Sequence, residues 1–172
     1  MKGIIIYKGK YGATSQYAIW LGAALRIPAI MAGTETLQQL NDADYIIMGT
    51  SVYIGKLQLR TWMNRYRDLL VTKKLFLFLV AGTPVAEKEK LQGYITSNVC
   101  AEIKTRCSCF FLPGKLNFKK LSLPDKILLT MGARLAKGRG ENIAVKDYNE
   151  VKKEHLSAIV DAVSQLNEVV LK

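Results

Sequence analysis

The stretch Gly3-Ile4-Ile5-Ile6-Tyr7-Lys8-Gly9-Lys10-Tyr11-Gly12-Ala13-Thr14 decides the fold. Its first half, Gly3–Tyr7, is a continuous apolar run without polar alternation. Such a run fits a strand buried on both faces, as in a parallel sheet. Its second half, Lys8–Thr14, is basic and carries two glycines. Glycines let backbone N–H groups curl inward, and a helix that follows adds the positive end of its dipole. The stretch therefore reads as a strand, an anion-binding turn and a helix start.

Working outward, Thr14–Arg26 reads as that helix, with Tyr17, Ala18, Leu21, Ala24 and Leu25 apolar and Pro28 as its stop. Ala29–Ala32 is a short second strand, and Thr34 is expected to cap a helix over Glu35–Leu40. Asp44–Gly49 is a third strand, leading into a loop at Thr50–Gly55, and Leu57–Val71 has helical spacing. Lys74–Ala81 is the most hydrophobic strand and is expected at the sheet centre. Glu87–Val99 reads as a helix and Lys104–Phe111 as the fifth strand. Leu112–Leu123 reads as irregular, since it holds Pro113 and Gly114 and runs into Pro124. Asp125–Lys137 is a helix ended by Gly138-Arg139-Gly140, and Asp147–Leu171 is a closing helix. Its buried stripe is Leu156, Ile159, Val160, Val163, Leu166 and Val170.

Strands alternating with helices predict an α/β fold: a doubly wound, five-stranded parallel sheet, order 2-1-3-4-5, with helices on both faces. The length of 172 residues suits one domain, read here as 1–172 with a basic insertion at about 112–140. A hydrophobic share of 49% speaks against disorder. No apolar run approaches the roughly 18–20 residues of a membrane span, and the N-terminus has no charged region or cleavage site of a signal peptide.

Three cysteines, Cys100, Cys107 and Cys109, do not form a disulfide framework. Cys107 and Cys109 share one strand face, and with only His155 elsewhere their spacing is poor for a metal. They read as buried thiols in a reducing cytoplasm. The net charge of +11 is uneven: Lys104–Arg139 holds nine Lys and Arg and one acid, Asp125. Such a segment suits an anionic partner.

In this fold a ligand lies beyond the carboxyl ends of the strands, where strand order reverses. Three loops meet there: Lys8–Ala13, Thr50–Lys56 and Gly82–Glu87. In the first, Lys8, Gly9, Lys10, Tyr11, Gly12, Ala13 and Thr14 have the chemistry of a phosphate nest; an ordinary turn with solvated lysines is the alternative. It lacks the patterns G-x-x-x-x-G-K-[S/T] and G-x-G-x-x-G, against a triphosphatase and against a dinucleotide site. The second offers Thr50, Ser51, Val52 and Tyr53, whose ring either stacks on a flat heterocycle or packs on Trp62 or Met63. The third offers Gly82, Thr83 and Pro84 as partners for a polar ring edge. No nucleophile–base pair is visible, which disfavours ordinary hydrolysis.

The turn Tyr7–Thr14, with Gly12 and Thr14 in place, resembles the phosphate loop of flavodoxins. Gly49-Thr50-Ser51-Val52-Tyr53-Ile54-Gly55 resembles the second loop of a flavodoxin branch that includes menaquinone-dependent protoporphyrinogen dehydrogenases. The basic stretch from Gly114 through Met131 to Gly140 resembles that branch too. The resemblance implies FMN, held without a covalent bond, with Gly12 and Thr14 on the phosphate and Tyr53 and Thr83 flanking the ring. It implies electron transfer or small-oxidoreductase chemistry with a redox partner protein or a quinone, and in that branch oxidation of protoporphyrinogen. Family members place Ser or Thr where this chain has Lys8 and Gly9, so a non-catalytic interaction module with an altered site stays open beside these.

As a helix, Asp125–Lys137 sets Lys126, Thr130, Arg134 and Lys137 on one stripe beside Ile127, Leu128, Leu129, Met131, Leu135 and Ala136. Two readings follow. Either this segment, Lys115–Arg139, lies on an anionic membrane with Lys115, Lys119 and Lys120 assisting, which places the protein at the inner membrane face. Or the apolar arc packs on the sheet and the lysines face water. No nucleic-acid module is visible.

Overall fold

A computed structural model describes residues 1–138 and 146–169, except the side chains of 135–137 and 167–169. Arg139, Gly140, Val170 and Leu171, which figure in the expected helix ends and stripe, lie outside the described residues. The chain divides into two compact units, Met1–Gly114 with Val151–Lys172, and Lys115–Glu150.

In the larger unit, strand β1 (Gly3–Lys8) leads to helix α1 (Ala13–Leu25), strand β2 (Ala29–Met31) and helix α2 (Leu37–Asp42). Strand β3 (Tyr45–Tyr53) turns back into the short strand β4 (Lys56–Leu57), followed by helices α3 (Arg60–Arg65) and α4 (Arg67–Leu70). Strand β5 (Lys74–Ala81), helix α5 (Lys88–Asn98), the one-turn helix α6 (Ala101–Lys104) and strand β6 (Cys107–Pro113) complete the sheet. Helix α8 (Ser157–Val169) returns to this unit after a 3-10 turn at Lys153–Leu156.

Five strands pair in parallel in the order β2-β1-β3-β5-β6, and β4 pairs antiparallel with the end of β3. With the hairpin strand set aside, this is the expected doubly wound order and fold class. The apolar runs are buried on both faces, and alternate residues serve opposite layers. Ile4, Ile6, Ile46, Met48, Leu75, Leu77 and Leu79 pack with Leu59, Met63, Leu91 and Ile95. Ile5, Ile47, Phe76 and Phe78 pack on the other face with Tyr17, Leu21, Ile159 and Val163. The Tyr17 hydroxyl lies 3.0 Å from the Pro113 carbonyl, to which it donates, and 3.1 Å from His155 Nδ1. That buried ring fastens α1 to the end of β6 and to the turn before α8.

Several boundaries differ from the sequence reading, each for a local reason. β3 runs to Tyr53 instead of ending at Gly49, because β5 and β4 supply ladder partners as far as Ser51 and Tyr53. Leu57 is therefore strand, and the expected helix Leu57–Val71 begins at Arg60 and breaks at Tyr66. Thr36, not Thr34, caps α2, through a reciprocal capping box with Gln39. Thr34 instead donates its hydroxyl to Met31 O. β3, not β5, is the middle strand; β5 stands one place nearer the edge. The fifth parallel strand starts at Cys107, since Ala101–Lys104 forms a helical turn. The closing helix starts at Ser157, and Tyr148–Asn149 forms strand β8 instead.

In the smaller unit, strand β7 (Lys115–Leu116) pairs antiparallel with β8, ahead of a 3-10 turn at Phe118–Lys120 and helix α7 (Leu123–Gly138). The Phe118 N–H donates to Asp147 Oδ1 at 2.7 Å, tying its two ends. No helix among the described residues is long and apolar enough to cross a membrane.

Candidate functional site

β1 and β3 end side by side, with Lys8 opposite Thr50, and β3 and β5 stay in register to Ser51 and Val80. That alignment brings the ends of three strands to one edge of the larger unit. After β1 the chain turns through Gly9–Gly12 and enters α1. Gly12 takes a left-handed conformation, φ 81°, which suits glycine. It caps α1 without any side-chain hydrogen bond, and the first turn has no acid. The leading N–H groups of α1 thus keep their outward polarity.

Thr14 is the informative residue. It is 1% exposed, and its hydroxyl has no hydrogen-bond partner among the described residues. A buried hydroxyl without a partner is costly, and natural proteins keep one for a reason. Gly9 explains how the hydroxyl is housed. A Cβ at Gly9 would overlap Thr14 Oγ1 and Cβ and would approach Ser51 Oγ at 3.5 Å. Gly9, Thr14 and Ser51 therefore converge, and a serine or threonine at position 9 would not fit without displacing Thr14.

Lys10 joins the first loop to the second. Its Nζ lies 4.2 Å from the Tyr53 ring centroid and 5.5 Å from that of Tyr11. Lys8 and Tyr11 are exposed, Ala13 is buried, and Ser51, Val52 and Tyr53 are half-buried. Thr50 is fully buried; its Oγ1 accepts from Leu59 N at 3.1 Å, so it holds the start of α3. A cavity of about 480 Å³ beside the turn is lined by Lys8, Gly9, Lys10, Met31, Ala32 and Gln58. Gly82, Thr83 and Pro84 follow β5 at the same sheet end, and Thr83 Oγ1 lies 3.5 Å from the Tyr94 hydroxyl of α5. No hydrogen bond joins the Thr83 side chain to the first two loops among the described residues.

The second loop is a two-residue hairpin. Ile54 and Gly55 both have positive φ, 51° and 69°, the pattern of a type I′ turn. A β-branched residue is strained there, and Ile54 is exposed, so little packing holds it. Ile54→Asn should stabilise the protein by about 1 kcal/mol, read as a raised urea midpoint.

Asn98, which sequence reasoning missed, fixes this hairpin. It is buried; its Oδ1 accepts from Leu57 N at 3.2 Å, and its Nδ2 donates to Gly55 O at 3.0 Å and Tyr94 O at 2.9 Å. Nothing in the sequence separates it from an ordinary polar residue at a helix end. Asn98→Ala strands these groups and should destabilise by about 2–3 kcal/mol in urea unfolding. Asn98→Asp should also fail, since it keeps an acceptor and loses both donors.

The cysteines stand apart from this edge. Cys100, Cys107 and Cys109 are free, half-buried, and packed on the core. The Cys109 thiol beside it, together with burial, pushes the Cys107 thiol well above its ordinary pKa. Among the described residues no group of three His, Cys, Asp or Glu is placed to hold a metal.

The doubly wound parallel sheet, with a glycine turn leading from its first strand into α1, defines the class of an α/β protein. The flavodoxin-domain family profile matches residues 4–142, most of the chain, and the chain belongs to that family. No curated protein matches it. Among solved structures it is similar to Smu.1420 from Streptococcus mutans UA159, with 12% identity, 80% of this chain and 100% of that one covered, and a TM-score of 0.49. The Megasphaera elsdenii flavodoxin in its two-electron reduced state gives 17% identity, 63% and 82% coverage and a TM-score of 0.44. A flavodoxin from the domain Archaea gives 22%, 55% and 75%, and 0.39.

Proposed function

We propose that this chain is an FMN-binding redox protein, an electron carrier or a small flavin-dependent oxidoreductase. The observation that carries this reading is the Thr14 hydroxyl at the start of α1, buried and without a hydrogen-bond partner among the described residues. A phosphate supplies the acceptor that the hydroxyl lacks, and the leading N–H groups of α1 complete the nest. Gly9 and Gly12 allow the backbone to approach, and Lys8 and Lys10 balance the phosphate charge. Tyr53 flanks the ring, and the backbone of Gly82, Thr83 and Pro84 meets its polar edge. When bound, the flavin supplies one- or two-electron chemistry, and the protein supplies position and field. Gly9 favours a working site over a decayed one, since it makes the room that Thr14 occupies. Titration of FMN into apoprotein, followed by flavin absorbance and fluorescence, tests the reading; absence of binding overturns it.

One observation favours a narrower reading. The smaller unit concentrates basic charge, with Lys119, Lys120 and Arg134 exposed. Such charge suits an anionic substrate, and the narrower proposal is a dehydrogenase passing electrons from protoporphyrinogen to a quinone, working in a reducing cytoplasm that suits three free thiols. Holoprotein supplied with menaquinone and protoporphyrinogen should turn over; a flavin-loaded protein that does not would leave the broader reading standing alone.

A further inference from the structure

We infer that Cys107 and Cys109 form a two-coordinate site for a soft, thiophilic cation of the cuprous class. This inference goes beyond FMN binding and does not depend on it. Both thiols are free and half-buried. They stand two residues apart on β6, the last strand in the sheet order, so they share one face at a sheet edge. Both pack against the core cluster that includes Leu75, Leu77 and Ile103. Cys107 Sγ lies 3.8 Å from the Ser108 carbonyl oxygen, and Cys109 Sγ lies 3.8 Å from that of Cys107. Both carbonyls belong to the peptides that join the two cysteines, so both sulfurs lean into the gap between them. The thiols also sense each other: the contact with Cys109, together with burial, drives Cys107 above its ordinary pKa, and the same contact draws Cys109 below.

The strand sets the spacing. Cys107 pairs with Leu75 and Cys109 with Leu77, and at the strand rise their Cα atoms stand about 6.4–6.8 Å apart. Side chains stand roughly perpendicular to a sheet, so the Cβ atoms are about as far apart. A disulfide needs a Cβ separation of about 3.5–4.5 Å, so the ladder disfavours one. A bridging ion needs more room: two metal–sulfur bonds of about 2.3 Å set the sulfurs about 4.6 Å apart when they lie in line. Two thiols leaning together across this strand spacing meet that distance. Ligand number then selects the ion. Among the described residues no group of three His, Cys, Asp or Glu is placed to hold a metal, which leaves the tetrahedral shell of zinc unfilled. Thiolates favour cuprous ion, which is content with two of them in line. Each remaining thiol proton passes to solvent as its sulfur binds, so the step needs no oxidant. The bound pair keeps one negative charge. Arg106 and Lys74, exposed one residue before Cys107 and before its partner Leu75, offset it.

The experiment uses the full, reduced chain under nitrogen, with cuprous ion supplied as its complex with a coloured chelator. The chain should draw a single ion from the chelator, and the loss of colour gives the affinity. X-ray absorption of the loaded chain should show copper between two sulfur neighbours. Cys107→Ser and Cys109→Ser should each weaken binding by at least about tenfold, since losing a ligand costs no less than losing a group that supports one. Cys100→Ser should leave the affinity unchanged, because that thiol lies off the strand at the start of α6. Circular dichroism and urea unfolding of each metal-free variant check that the fold is kept. X-ray absorption on the parent tests the ligand set without any variant. Absence of uptake from the chelator overturns the inference. So does copper held by three or more sulfurs, an equal loss in Cys100→Ser, or uptake that survives when Cys107→Ser and Cys109→Ser are combined.

Discussion

Gly49→Ala is expected to lower stability by about 2–3 kcal/mol, a large share of what a domain of this size has to lose. Gly49 lies in the middle strand, paired with Tyr7 on one side and Phe78 on the other. A Cβ there would overlap the Phe78 ring, which is fully buried. The ring has nowhere to go, because the layer behind it is packed by Tyr17, Ile47 and Ile159. Alanine ordinarily gains roughly 0.5–1 kcal/mol over glycine inside a strand by limiting the unfolded chain, which does not offset the overlap. Urea unfolding should show a lower midpoint with an unchanged slope. Phe78→Leu alone should cost about 1–2 kcal/mol. Combined with Gly49→Ala it should cost less than the sum of the two by about 1 kcal/mol, since the shorter side chain clears the new methyl. Strict additivity would show that the ring and the glycine do not share that space.

The same residues show how far the sequence could be read. Gly3–Tyr7, Asp44–Gly49 and Lys74–Ala81 announce strands because burial on both faces leaves no polar alternation, and all three are strands. The turn at Gly9–Gly12 was legible for a similar local reason: glycine and a following helix suffice to define it. Where the outcome depends on a distant partner, the sequence is silent. Thr50–Tyr53 has the composition of a loop, yet β5 and β4 draw it into the sheet. Thr50 reads as a ligand donor from its place in the loop, while its hydroxyl oxygen accepts from the distant Leu59 N–H, a contact no local pattern announces. Asn98 carries no local mark, since its three partners lie at Gly55, Leu57 and Tyr94. For α7 the wheel gave an apolar arc and a cationic stripe but not which way the arc faces. Within the smaller unit Leu123, Ile127 and Met131 are exposed.

Thr14→Val should separate the two halves of the proposed cofactor, weakening FMN roughly ten- to hundredfold while leaving riboflavin unchanged. Valine keeps the branched shape that packs over Gly9 and replaces only the hydroxyl by a methyl. A hydrogen bond to a charged group contributes about 1.5–3 kcal/mol, the basis of that range. Riboflavin has no phosphate, so it has nothing to lose at Thr14. The apoprotein should respond in the opposite sense. Its Thr14 hydroxyl is buried without a partner among the described residues, so a methyl there relieves the desolvation penalty and should stabilise apoprotein by about 1 kcal/mol. Thr14→Ser should retain FMN, because it keeps the donor. A loss shared equally by FMN and riboflavin would mean that Thr14 shapes the turn without touching the phosphate. A less stable valine apoprotein would mean that the hydroxyl already has a partner. The paired result, a tougher empty protein and a weaker loaded one, is the signature of a side chain kept for its ligand at the expense of the fold.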